Sequence, residues 1–114
     1  MPRLDWSFAA RDELAELLVW LTVNRSPDIA ESARGAAESA ALAAADRPLA
    51  YPWVGAIFPS LSRLGKSYRR VLAWRRRLHL FYRYDRAEDR IVILHVRGSR
   101  QRPLSARRVL RTAG

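Results

Sequence analysis

The sequence predicts an α+β fold: an N-terminal strand, an antiparallel helical hairpin, then three antiparallel strands forming one sheet. Two stretches of helical character in the first half and three strand-like runs in the second carry this reading. With 49% hydrophobic residues over 114 positions, the chain can build one cored domain and is not a disordered basic tail. A single domain is expected over residues 1–103, with a basic C-terminal tail over 104–114.

Residues Arg3 to Ser7 (RLDWS) alternate Leu4 and Trp6 against Arg3 and Asp5, which reads as a short half-buried strand. From Phe8 to Asn24, Leu14, Leu17, Leu18 and Leu21 recur at i, i+3, i+4 and i+7, with Asp12, Glu13 and Glu16 elsewhere, so this stretch is an amphipathic helix. Ser26-Pro27-Asp28 then supplies an N-cap, a proline at the first helical position and an early acid. The helix that starts there should run to about Asp46 and end before Arg47-Pro48. Nine of the eighteen residues from Ile29 to Asp46 are alanine, small enough for two helices to approach closely. The short turn at Arg25–Ser26 makes the pair an antiparallel hairpin, packed through Leu14, Leu17 and Leu21 against Ile29, Ala33, Ala37, Ala40 and Ala44. Gly35 within it suggests close packing or a small kink.

The stretch from Arg47 to Lys66 holds three prolines and two glycines without a period, and reads as an ordered loop carrying Tyr51, Trp53, Ile57 and Phe58 across the domain. Three strands follow, Ser67 to Trp74, Leu78 to Asp85 and Arg90 to Arg97, joined by turns reading RRR and RAED. On the middle one, His79, Phe81, Arg83 and Asp85 share one face, and Leu78, Leu80, Tyr82 and Tyr84 the other. His95 alternates with Ile91 and Ile93 and is expected to pack with them. Trp6, Trp20 and Trp53 are expected in the core, which leaves Trp74 as the exposed aromatic. The tail with Arg107, Arg108 and Arg111 is expected to be either a short basic helix or disordered.

Charge divides the chain. Residues 1–65 carry six Arg and eight Asp/Glu, and residues 66–114 carry fifteen Lys/Arg and three Asp/Glu, so the second half holds the excess positive charge behind the formal net of +10. A basic half built of strands favours a polyanionic or acidic partner. The candidate contact residues are Arg69, Arg70, Arg75, Arg76, Arg77, Arg83, Arg97, Arg100 and Arg102. There is no cysteine, which removes disulfides, thiolate metal sites and thiol nucleophiles. No metal-ligand cluster or cofactor motif is present, and Gly65-Lys66-Ser67 lacks the earlier glycine of a phosphate-binding loop. No secretory signal or membrane span is read, and a cytoplasmic location is expected. As catalysts, arginines could stabilise a scissile phosphate, with His79 and Arg83 looking into one groove as a possible nuclease pair.

The order of these elements resembles the RelE/ParE superfamily of bacterial toxins from type II toxin-antitoxin pairs. LDWSFAARDELAELLVWL is similar to its opening strand and helix, RSPDIAE to the second-helix start, LHLFYRYD to the aromatic third strand, and RIVILHVRGSR to the last strand with its basic end. The resemblance implies one of two mechanisms. RelE-like members cut messenger RNA on the ribosome, which here would use Arg69, His79, Arg83 and Arg100; Val71 stands where a lysine is expected, His79 where an arginine is, and no tyrosine follows Tyr84. ParE-like members inhibit DNA gyrase by binding, and the chain is closer to these in its hairpin and arginine-rich corner, although that corner reads Arg97-Gly98-Ser99 in place of Arg-His-Gly. A third alternative is an inactive toxin fold that retains antitoxin binding. The implied partner is a cognate antitoxin with an acidic and apolar C-terminal segment, forming a hetero-oligomer; no cofactor is implied.

Overall fold

The computed structural model describes residues 2–99, 101 and 104–113. Strand β1 (Arg3–Trp6) leads into helices α1 (Phe8–Asn24) and α2 (Pro27–Asp46); a short α3 (Val54–Ile57) and a 3₁₀ helix (Pro59–Leu64) precede β2 (Tyr68–Ala73), β3 (Leu78–Asp85) and β4 (Arg90–Gly98), and α4 (Ala106–Ala113) ends the fold. The strands form one sheet in the order β1-β4-β3-β2. The last three strands pair antiparallel, as expected, whereas β1 runs parallel to β4, so the sheet is mixed. Four residues of alternation cannot reveal strand direction, and the chain between Trp6 and Arg90, which holds the helices and strands β2 and β3, is long enough to allow the parallel pairing.

Both helix starts follow the local chemistry. Ser7 accepts a hydrogen bond at Oγ from the Ala10 N–H and donates from the same oxygen to the Leu94 carbonyl, so a single residue ends β1 and caps α1. Ser26 caps α2 through the Ile29 N–H, with Pro27 at the first helical position. The hairpin packs its alanines on one face of the sheet, where Ala37, Ala41, Ala44 and Ala45 meet Leu78, Leu80, Tyr82, Ile91 and Ile93. Gly35 is not a close-packing site, because a Cβ there would meet nothing within 4 Å. Trp20, expected in the core, is 55% exposed on the outer side of α1 with Val19 and Val23. Trp74, expected to be exposed, packs partly buried against the hairpin.

The second face of the sheet is also covered. The predicted ordered loop contains α3 and the 3₁₀ helix, and with α4 they bury Val54, Leu61, Leu64, Leu104 and Val109 against Phe81 and Leu94. The tail is therefore docked on the sheet through Leu104, Ala106 and Val109. Gly55 makes this layer possible, since a Cβ there would collide with the Trp53 ring and the Ser62 backbone.

One irregularity changes which side chains share a face. Phe81 pairs with His95 but Tyr82 pairs with Ile93, leaving Leu94 as an extra residue in β4. His95 therefore does not continue the Ile91–Ile93 face. It is fully buried toward α4, where its Nε2 lies 3.0 Å from the Thr112 hydroxyl. Its Nδ1 lies 3.0 Å from Glu13 of α1, which also accepts from the Val96 N–H at 3.0 Å and from Arg97 at 3.3 Å. β1 ends at Trp6 opposite Ile93, so this carboxylate occupies the edge of β4 that β1 leaves open.

Candidate binding site at the turn end of the sheet

The β2–β3 connection is Trp74-Arg75-Arg76-Arg77, and its first three residues all have positive φ, at 49°, 56° and 67°. None is glycine, so each holds a left-handed conformation that costs roughly 1–2 kcal/mol. Neighbouring groups impose it: Arg77 N–H closes on the Trp74 carbonyl at 3.1 Å, while from the end of β4 the Ser99 hydroxyl donates to the Arg76 carbonyl at 2.8 Å and the Ser99 N–H to the Arg77 carbonyl at 3.0 Å. The Arg77 guanidinium lies 5.4 Å over the Trp74 ring. The result is a fixed turn presenting Arg75, Arg76 and Arg77 to solvent, fastened to the corner Arg97-Gly98-Ser99.

Beneath that rim is a cavity of about 130 Å³, lined by Phe58, Leu61, His79, Phe81, Arg97 and neighbouring residues of the β4 end. Arg70 donates to His79 Nδ1 at 3.2 Å and lies 5.3 Å over the Phe58 ring. The pairing of Leu72 with His79 sets this contact, since it places Arg70 diagonally beside the imidazole on the same face. The other imidazole nitrogen, Nε2, is 3.5 Å from Ser99 Oγ. Burial, and secondarily the charge of Arg70, lowers the His79 pKa below its ordinary 6.5, so the ring is neutral at pH 7. In that form the Nδ1 lone pair faces a guanidinium, and the ring offers no free base to a ligand.

The predicted site residues are thus divided. Arg75, Arg76 and Arg77 stand together on the rim, and Arg70 and His79 lie beneath it. Arg97, expected at an exposed strand end, has a side chain only 13% exposed and bonds to Glu13. Arg69 is turned to the opposite face, where it donates to the Tyr51 carbonyl at 2.5 Å and pins the preceding loop. Arg83 shares the face of His79 but lines a separate cavity, so the two do not look into one groove. Arg100 and Arg102 lie outside the described residues.

Sequence reading missed Glu13, an acid on the polar side of a helix. The signal available was the histidine in an apolar strand, which when buried needs an acceptor. Among the described residues, no three His, Cys, Asp or Glu side chains converge as metal ligands, and no helix is long and apolar enough to cross a membrane. The chain matches no protein-family model, and no curated protein is similar to it at a significant level.

Proposed function

We propose that the protein is the toxin of a type II toxin-antitoxin module, of the ParE-like kind, which inhibits DNA gyrase in the cytoplasm by binding and is neutralised by a cognate antitoxin. The observation that carries this reading is the arginine rim: a turn held in an unfavourable backbone conformation, with three cationic side chains in solvent and a tether to the end of β4. Strain of this kind persists where surrounding structure over-determines it, and it gathers at functional sites. An antitoxin segment with acidic and apolar residues would find its complement in the rim and in the exposed Val19, Trp20 and Val23 stripe of α1.

Induction should block DNA replication while bulk messenger RNA stays intact. Replacing Arg75, Arg76 and Arg77 by Ala should abolish toxicity without altering the thermal melt, since all three side chains are exposed. A fully toxic triple variant would refute the rim as the working surface.

The ribosome-dependent endoribonuclease is the second reading, and the observation that favours it is His79, which lines the cavity and is paired with Arg70. Its cost is the occupied Nδ1 lone pair, which Arg70 would have to vacate before His79 could accept a proton. Primer extension on ribosome-bound messages separates the two mechanisms. Codon-phased cuts that vanish in His79→Ala would establish the nuclease.

A further inference from the structure

A second and larger cavity, of about 440 Å³, lies at the other end of the same sheet face, between β1, the start of α1 and the end of α4. Arg83 lines it. The Nε of this side chain is inaccessible to solvent and lacks a hydrogen-bond partner, and no ion pair or ring contact of Arg83 exists among the described residues. The residue as a whole is only partly buried, so a ligand entering from solvent can reach the guanidinium and supply the acceptor that the buried Nε–H lacks.

The nearby carboxylate does not supply the match. Asp5 also lines the cavity, but it is held by Arg90 at 2.7 Å and by Arg3 at 3.2 Å, and the hydrogen bond from Arg90 keeps its pKa below the ordinary carboxylate value. The cavity therefore carries an uncompensated positive charge. Phe8 and Ala9, the first residues of α1, form part of the wall, and the first turn of a helix leaves its N–H groups without intrahelical acceptors. Val92 and Leu94 provide an apolar floor, and the Phe8 ring is 82% exposed at the margin.

We propose that this cavity binds a small aromatic anion, its carboxylate or phosphate on Arg83 and its ring against Phe8. The size suits such a ligand, since pockets for small molecules begin at roughly 300 Å³. This site is separate from the rim, because the cluster of Phe81, Leu94, Leu104 and Val109 stands between the two cavities.

The test is titration of the full chain with phenyl phosphate, benzoate and inorganic phosphate, followed by calorimetry and by tryptophan fluorescence. Saturable binding of phenyl phosphate or benzoate is expected, and the stronger of the two identifies the head group. Arg83→Gln should weaken it by about tenfold or more. Phe8→Ala should weaken the aromatic ligands and leave inorganic phosphate unchanged; because Phe8 is exposed, this variant reports even if Arg83→Gln does not fold. The Arg75, Arg76 and Arg77 triple Ala variant should bind as the parent does. Absence of saturable binding, indifference to both Arg83→Gln and Phe8→Ala, or loss of binding in the triple variant would each overturn the proposal.

Discussion

Replacing Glu13 by Ala should be the most damaging single change on α1. The carboxylate accepts from the buried His95 ring, the Val96 N–H and Arg97, and its own side chain is 12% exposed. Each buried donor left without an acceptor costs about 1–3 kcal/mol, and removing one partner of a buried charge pair costs about 3–5 kcal/mol. These contributions overlap, so a total of about 3–5 kcal/mol is expected, a large part of the roughly 5–15 kcal/mol that holds a domain folded. At about 4 °C per kcal/mol for a domain of this size, the melting temperature should fall by about 12–20 °C.

The assay is urea unfolding followed by tryptophan fluorescence, repeated across pH. Burial raises the Glu13 pKa, but the hydrogen bonds from His95 and Val96 and the nearby charges outweigh it and leave the pKa below the ordinary 4.5. A depressed folded pKa stabilises the domain above 4.5, and that stability is lost as pH falls through the depressed value. The gap between parent and Glu13→Ala should therefore be full at neutral pH and shrink in acid. A Glu13→Ala loss below about 1 kcal/mol at pH 7 would show that water replaces the carboxylate at the edge of β4 and would refute the argument.

Gly35→Ala should stabilise the domain by about 1 kcal/mol, because the site is helical and open; Gly55→Ala should cost about 1–3 kcal/mol or more in the same urea titration. Arg76→Gly should relieve the left-handed strain at φ 67° and raise stability by about 1 kcal/mol, and an unchanged unfolding midpoint would remove the strain argument. The lowered pKa of His79 means that the unfolded chain takes up a proton first, so stability should fall as pH drops below 6.5 toward the depressed value, and His79→Phe should lose that limb.

Much of this fold is local chemistry and was legible as such. The bounds of α1 and the start of α2 follow from leucine spacing and from Ser26-Pro27, and the two faces of β3 follow from strict alternation between Leu78 and Asp85. The rim is legible as a run of arginines at a turn. What escaped depends on pairing across the chain. The Val96 bond to Glu13 spans 83 positions, and nothing near either residue announces it. Trp20 was misplaced because a ring on a helix is apolar whichever way it faces, and Gly35 because an open glycine and a tightly packed one look alike in sequence.

The extra residue in β4 connects these outcomes. In an unbroken ladder Leu94 would stand opposite Phe81, and His95 would turn to the hairpin face with Ile91, Ile93 and the alanines. With Leu94 left out of the pairing, His95 turns to α4 and finds Thr112, while Glu13 reaches its other nitrogen around the strand edge that β1 leaves free. Ordinary alternation with Ile91 and Ile93 keeps Val92 and Leu94 on the face of Phe81, where α4 can dock over them. Docking there divides the face into a cavity beneath the arginine rim and a second one around Arg83, which is why two residues four positions apart on β3, His79 and Arg83, serve different sites.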